Sequence, residues 1–290
     1  MNENKQSPQS SISVLIRTFD SAKTLERVIL ALGMAAGDEL VVVDSGSRDA
    51  TLDIAQKHGA RIIRAIGPFN YSKSLNLGFA AARNAWVLVL SSHAIPLVPA
   101  FLAAHRAAIE KFPASVAVGY APSGISNKFM ADARIGDVQF YSPDNYQPVE
   151  HLCGNANSIY RRAIWEQLPF DETVRTAEDM IWLREYLRQG GHIAYIPAAR
   201  TLNCNQGSLA YMFRKGYSDA RARREKAGEP ASHQPMGFYQ LGGALKNLLM
   251  AKLKGETNVG NWLRYSAHAC GVFFGCRQKQ DNSIGYGKRH

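Results

Sequence analysis

Long apolar runs are missing from this chain. No window of its 290 residues approaches the roughly 18 consecutive apolar residues that a membrane-crossing helix needs, so no transmembrane anchor is expected. The N-terminal stretch MNENKQSPQSS has no apolar segment before Ile12. It does not fit a secretory signal and reads as a disordered tail over residues 1–10. Cysteine is scarce as well. Cys153, Cys204, Cys270 and Cys276 form no CxxC pair, and no histidine stands at zinc-finger spacing from them. A reduced, cytoplasmic setting is the simplest account, without a structural disulfide. A GxGxxG after the first strand-like segment is absent, which argues against a dinucleotide-binding enzyme. A Gly-Lys-rich loop able to cradle a triphosphate is also absent, which argues against a nucleotidyltransferase.

What is present is a hydrophobic content of 46%, enough for a core that needs no covalent staple. The formal net charge is +10. Much of the excess lies in RKGYSDARARREK (214–226) and in the terminal GKRH. Such a patch attracts an anionic membrane surface, a phosphate-bearing ligand or nucleic acid, or is simply a solvated helix face. No RNA-binding signature accompanies it, so nucleic acid is not an expected partner.

The front two-thirds alternates strand-like and helix-like segments. SISVLIRTF (11–19), ELVVVDSGS (39–47), ARIIRAIG (60–67) and AWVLVLSS (85–92) read as buried strands. Between them, SAKTLERVILALG (21–33), DATLDIAQKHG (49–59) and YSKSLNLGFAAARN (71–84) carry helical spacing. Ser21 and Asp49 are the expected caps, and Gly59 the expected helix stop. A helix is predicted over 99–111, a long loop with a short strand near Val138 to Tyr141 over 121–150, a strand running into a helix over 157–168, a helix over 178–189 and a strand over 192–197. This order predicts an α/β fold with a mostly parallel sheet covered on both faces. Residues 206–278 read as a helical extension and 279–290 as a flexible basic tail.

Several positions carry chemistry. Asp44 closes a strand beside the small-residue turn SGSRDAT, where a carboxylate can bond a base or ribose and Ser45 can donate. VLVLSSHAIP (87–96) ends a strand in Ser91, Ser92 and His93, at the sheet edge where open α/β folds bind ligands. Glu178 and Asp179 open a helix, where an anion is stabilised and where Thr176 could equally form a capping box. In CGNAN (153–157), Gly154 permits close approach, and Asn155 and Asn157 can bond hydroxyls. Trp182 can stack on a ligand ring or sit in the core.

Together, ISVLIRTFDSAKTLERVILAL, ELVVVDSGSRDAT, FNYSKSLNLGFAAARNAWVLVLSSHAIP, CGNANSIYRRAIWEQLPFDE and TAEDMIWLREYLRQG resemble the family 2 glycosyltransferases, from about Ile12 to about Asn205. The resemblance implies a GT-A catalytic domain over 11–205. It also implies an inverting transfer of a hexosyl or deoxyhexosyl group from a UDP-, dTDP- or GDP-sugar to a glycan or lipid-linked acceptor, in cell-surface polysaccharide synthesis. On this pattern Arg17, Thr18, Phe19, Asp44, Ser45, Lys73, Asn76, Ser91 and His93 are the expected nucleotide contacts. Gly154, Asn155, Asn157 and Trp182 are the expected donor and acceptor contacts, Asp179 the base and Glu178 its support.

The chain departs from the family pattern at two places. Ser91 and His93 stand where relatives carry a metal-binding Asp-x-Asp, and Asn203, Cys204 and Asn205 stand where many carry a histidine. Mg²⁺ or Mn²⁺ is the expected cofactor class, with His93 as candidate ligand if neutral, or as a direct diphosphate contact if cationic. The competing function is a catalytically silent homologue that binds nucleotide-sugar or glycan. The basic C-terminal helices are expected either to pack on the catalytic domain or to lie on an anionic membrane.

Overall fold

The structure is a computed structural model that describes residues 10–124, 136–147, 149, 153–174, 176–204, 209–227 and 267. Outside the described residues lie Cys270 and Cys276, Asn205, nearly all of the expected tail 1–10, the expected basic tail 279–290 and, Ala267 excepted, the expected helices beyond 227. The chain divides into two compact units, 1–173 with 178–205, and 174–177 with 206–290.

The first unit runs β1 (Ile12–Thr18), α1 (Ala22–Leu30), β2 (Glu39–Asp44), α2 (Thr51–Lys57), β3 (Arg61–Arg64), α3 (Tyr71–Ala81), β4 (Trp86–Ser91), β5 (Ala94–Pro96), α4 (Phe101–Ile109), β6 (Val116–Tyr120), β7 (Ser123–Gly124), β8 (Gln139–Tyr141), β9 (Asn157–Arg161), α5 (Arg162–Gln167), α6 (Glu178–Arg188), β10 (His192–Tyr195) and β11 (Thr201–Asn203). The described helix of the second unit is α7 (Leu209–Ala227).

Eight strands form one sheet in the order β3-β2-β1-β4-β9-β6-β10-β8, and β5-β11-β7 form a small second sheet. Pairing is parallel from β3 to β4, antiparallel on both sides of β9, parallel from β6 to β10, and antiparallel to β8. The alternation of side chains along each strand divides the core into two layers. Ile12, Val14 and Ile16 of β1 join Val42, Leu88 and Leu90 against Leu25, Val28, Ala55 and Phe101 of α1, α2 and α4. Leu15 of β1 joins Val41, Val43, Val87 and Val89 against Leu75 and Phe79 of α3 and Trp182 and Leu183 of α6. Full burial of a large apolar side chain contributes about 1.5–3 kcal/mol, so this strand pattern fixes which face each residue takes.

That parity carries to the strand tips. Arg17 and Ser91 are register partners on the face of α3 and α6, whereas Thr18 and Asp44 are register partners on the face of α1 and α2.

Local details differ from expectation. Ser21 occupies the N-cap position of α1 but makes no side-chain cap bond. Its hydroxyl donates to Phe19 O at 3.2 Å and pairs with Ser92 Oγ at 2.9 Å. The cap residue of α2 is Ala50 rather than Asp49, yet Asp49 Oδ1 still accepts from the Thr51 N–H at 3.0 Å. Gly59 does follow that helix with a left-handed φ of +69°. The buried strand β6 and the short strands β5, β7 and β11 were not expected. Each is only two to five residues long, too short to display a period.

Candidate active site

The tips of β1, β2 and β4 bring the first group of expected residues together. Asp44 is 1% exposed. Its Oδ1 accepts from Thr18 Oγ1 at 3.1 Å and Ser47 Oγ at 2.5 Å, and its Oδ2 accepts from the N–H groups of Gly46 and Ser47 at 2.9 and 3.0 Å. Four donors fill both oxygens. The carboxylate therefore builds the β2–α2 turn, as a charge-assisted organiser of backbone N–H groups, and Thr18 is drawn into the same cluster. The Ser45 N–H donates to Thr18 O at 3.0 Å, while its buried hydroxyl has no protein partner among the described residues. Phe19 follows, half-buried.

On the opposite face, Arg17 is a hub. Its Nη1 lies 3.1 Å from Glu178 Oε1, with side-chain exposures of 15% and 7%. The guanidinium sits 4.9 Å above the Tyr71 ring, a cation–π contact from the first turn of α3. Arg17 also acts on His93. Burial first, and then the positive charge of Arg17, hold the imidazole below its usual pKa, so His93 is neutral near neutral pH. A half-buried ring beside a guanidinium disfavours a second positive charge in the ligand-free protein. His93 Nδ1 is 3.2 Å from Ser92 Oγ, and its carbonyl accepts from the Cys204 N–H at 2.8 Å, tying β4 to the end of β11.

The second group converges on Asp179. Its Oδ2 accepts from the Asn155 N–H at 3.3 Å and its Oδ1 from the Met180 N–H at 2.9 Å. A Cβ added to Gly154 would stand 3.3 Å from Asp179 Oδ2, so glycine is what lets the CGNAN turn approach this carboxylate. The same turn is bound to the β4 tip, because the Ser91 N–H donates to Ala156 O at 3.1 Å. Glu178 on Arg17, Asp179 on Asn155, and Ala156 on Ser91 thus join the start of α6 to the strand edge through adjacent residues. Thr176 was weighed as the cap of this helix. Its hydroxyl is bonded to Asp219 instead.

Other expected contacts are consumed by the scaffold. Asn76 Nδ2 donates to Phe170 O at 2.8 Å and Glu172 Oε1 at 3.0 Å, and its Oδ1 accepts from Trp165 Nε1 at 2.9 Å and the Phe170 N–H at 3.0 Å. It clamps α3 to the segment after α5 and has no capacity left for a nucleotide. Trp182 is 4% exposed, donates to Leu168 O at 2.7 Å and stacks on Tyr186. It belongs to the core. Asn157 is fully buried with Nδ2 on Ala199 O at 2.7 Å. Asn155 is 2% exposed, its Oδ1 held by Ser158 Oγ and Tyr160 Oη at 3.1 and 2.6 Å, so its backbone N–H rather than its side chain meets Asp179. Lys73 Nζ donates to Ile66 O at 3.2 Å. Tyr71 was missed by the sequence reading. Its place at the head of the helix FNYSKSLNLG was visible, but not the direction of its ring.

Among the described residues no three Asp, Glu, His or Cys side chains gather as a metal site. The donors at the strand edge fit a hard divalent ion poorly. Ser91 offers a neutral hydroxyl, His93 a half-buried imidazole with Nδ1 on Ser92, and the carboxylate at the β2 tip, Asp44, has both oxygens filled.

Known proteins resemble this chain in sequence and in fold. The chain is 27% identical over 237 residues to the succinoglycan biosynthesis protein ExoO of Rhizobium meliloti (strain 1021), covering 74% of this chain and 67% of that protein. Glucosyl-3-phosphoglycerate synthase from Mycobacterium tuberculosis, solved with Mg²⁺ and UDP, superposes with a TM-score of 0.60 at 18% identity, over 76% of this chain and 80% of that one. S. aureus TarS superposes at 0.56 and 18% identity, over 77% of this chain and 41% of that one. These likenesses show a shared GT-A fold. The sequence pattern goes further: the stretch from β1 to α5, which supplies the strand tips and the Gly154 turn, is matched over residues 13–168 by the model for glycosyl transferase family 2, and the chain belongs to that family.

Proposed function

We propose that the chain is an inverting glycosyltransferase that moves a hexosyl or deoxyhexosyl group from a UDP-, dTDP- or GDP-sugar to a hydroxyl of a glycan or lipid-linked acceptor, in the synthesis of a cell-surface polysaccharide. The observation that carries this reading is the pairing of Glu178 with Arg17 beside Asp179. It sets a half-buried carboxylate one residue from a direct link to the strand edge. Membership of family 2 supports the transfer chemistry, and the name of the ExoO relative supports the polysaccharide context.

In this mechanism the acceptor oxygen attacks the anomeric carbon from the face opposite the diphosphate. The new C–O bond forms as the bond to the diphosphate oxygen breaks, and the nucleoside diphosphate leaves with that electron pair. Asp179 takes the acceptor proton. Its two backbone N–H donors hold the carboxylate in one orientation, so that base, hydroxyl and anomeric carbon need little further ordering. The basic stretch 214–226, which opens within α7, is proposed to meet an anionic membrane surface on the cytoplasmic side, where a lipid-linked acceptor lies.

The test is a panel of nucleotide-sugars followed by release of nucleoside diphosphate, with the anomeric configuration of the product read by NMR. Asp179→Asn keeps an acceptor for the Asn155 N–H and is expected to lower turnover by about a hundredfold to ten-thousandfold without weakening donor affinity. Normal turnover in that variant, or retention of configuration, sinks the assignment. Binding without turnover in the wild type favours the silent homologue.

A further inference from the structure

We propose that Arg17 supplies the positive charge that holds the donor diphosphate, and that this rim binds nucleoside diphosphates without a divalent metal. The inference rests on the nucleotide-sugar reading above and deepens it.

Three observations carry it. First, Arg17 and Ser91 are register partners, and the parity of β1 and β4 puts both side chains on the face of α3 and α6. The Arg17 side chain therefore leaves β1 beside Ser91, which stands at the first position of the family's Asp-x-Asp. Second, the residues at the edge carry no free carboxylate. Asp44 is saturated and turned to the other face, and Ser91 and His93 bring a hydroxyl and an imidazole rather than carboxylates. With no pair of carboxylates at this edge, no divalent cation is needed to offset their charge. Third, Arg17 is held in place by the Tyr71 ring and by one oxygen of Glu178. Guanidinium has five N–H donors in a fixed fork. The bond to Glu178 uses one, and a second edge can serve phosphate oxygens while the ion pair stays closed.

The same geometry connects donor and base. A diphosphate on Arg17 lies one ion pair away from Glu178, the residue preceding Asp179. The cation that holds the leaving group thus also positions the start of α6. Arg17 is a binding residue in this account, and Glu178 acts through it as a positioning residue.

The experiment is calorimetric titration of the full chain with UDP, GDP and dTDP, after dialysis against EDTA and again with added Mn²⁺ or Mg²⁺. For the nucleotide that binds, the expected Kd in EDTA is within about threefold of that with metal, since a charge-assisted contact does not depend on a second ion. Arg17→Gln alone leaves Glu178 buried without its partner, so it is paired with Arg17→Gln/Glu178→Gln, which removes both charges. The double variant, its fold checked by circular dichroism, is expected to bind about tenfold or more weakly with or without metal. Ser91→Asp/His93→Asp is expected to lose affinity in EDTA and regain it with Mn²⁺. Binding that requires metal in the wild type overturns this inference and leaves the nucleotide-sugar reading standing. Undiminished binding by the double Gln variant overturns the role of Arg17. No binding to any nucleotide under either condition overturns the donor reading itself, and this inference with it.

Discussion

Arg17 Nη1 and Glu178 Oε1 stand 3.1 Å apart, from the tip of the first strand to the first residue of a helix 161 positions later. Both side chains are mostly buried. Removing one partner strands the other charge out of water, which typically costs about 3–5 kcal/mol, whereas removing both costs far less. Glu178→Gln is therefore expected to destabilise the fold by about 3 kcal/mol, and Arg17→Gln/Glu178→Gln by clearly less than the two single changes, Arg17→Gln and Glu178→Gln, added. Urea denaturation of the four proteins measures the coupling. Additive losses would mean that the pair is a surface-like contact with no hold on α6.

The approach of the CGNAN turn to Asp179 depends on a missing side chain. A Cβ at position 154 would come to 3.3 Å from Asp179 Oδ2, closer than ordinary van der Waals contact. Gly154→Ala must push the carboxylate or the turn by a few tenths of an ångström. The effect is expected in turnover and not in stability: kcat falls about tenfold or more, because a small displacement of a base is costly, while the melting temperature moves little. A variant with unchanged kcat would show that Asp179 is not the group whose placement matters.

The fold was legible in the sequence where burial is continuous. ISVLI, LVVV and WVLVL are runs that only a strand covered on both faces can place, and the helices between them have a clear period. The order of β9, β6 and β10 was not legible, because pairing across some forty residues of chain leaves no local trace, and VAVGY is too short to be distinguished from a buried helix turn. At the site, the sequence names residue types and positions, but their bonds could not be read. Asp44 and Asn76 are polar residues at ligand-like positions, and each is saturated by donors and acceptors that arrive from elsewhere in the fold. Trp182 offered an aromatic on a helix face, and burial decided between sugar platform and core. The Arg17–Glu178 pair had no signal in spacing at all, since it exists only once α6 lies beside β1.

Asn76 separates scaffold from site. Its amide uses both ends to join α3 to Phe170, Glu172 and Trp165. Asn76→Ala leaves the half-buried Trp165 N–H and the Phe170 backbone groups without this partner, a loss of about 1–3 kcal/mol. Nucleotide affinity is expected to stay within about twofold of the wild type once the fold is formed. Thermal denaturation and nucleotide titration of the same preparation make the comparison. A large loss of affinity with little loss of stability would return Asn76 to the nucleotide.

His105 gives the fold a pH dependence of defined sign. It is fully buried in α4, against the edge of the Phe101 ring. Burial drives its imidazole from the usual 6.5 down to about 3, with Asn157 pulling the other way. The unfolded chain therefore takes up a proton at this residue before the folded chain does. The contribution of His105 to stability is complete above 6.5 and is lost progressively as pH falls toward 3, at up to about 1.4 kcal/mol for each pH unit. His93, also depressed by burial and by Arg17, acts in the same direction. His105→Leu removes one of these groups. Compared with the wild type by urea denaturation, it is expected to gain relative stability by about 1–2 kcal/mol between about pH 7 and about pH 5. A difference that stays constant over that range would mean that His105 titrates normally and that the space around it admits water.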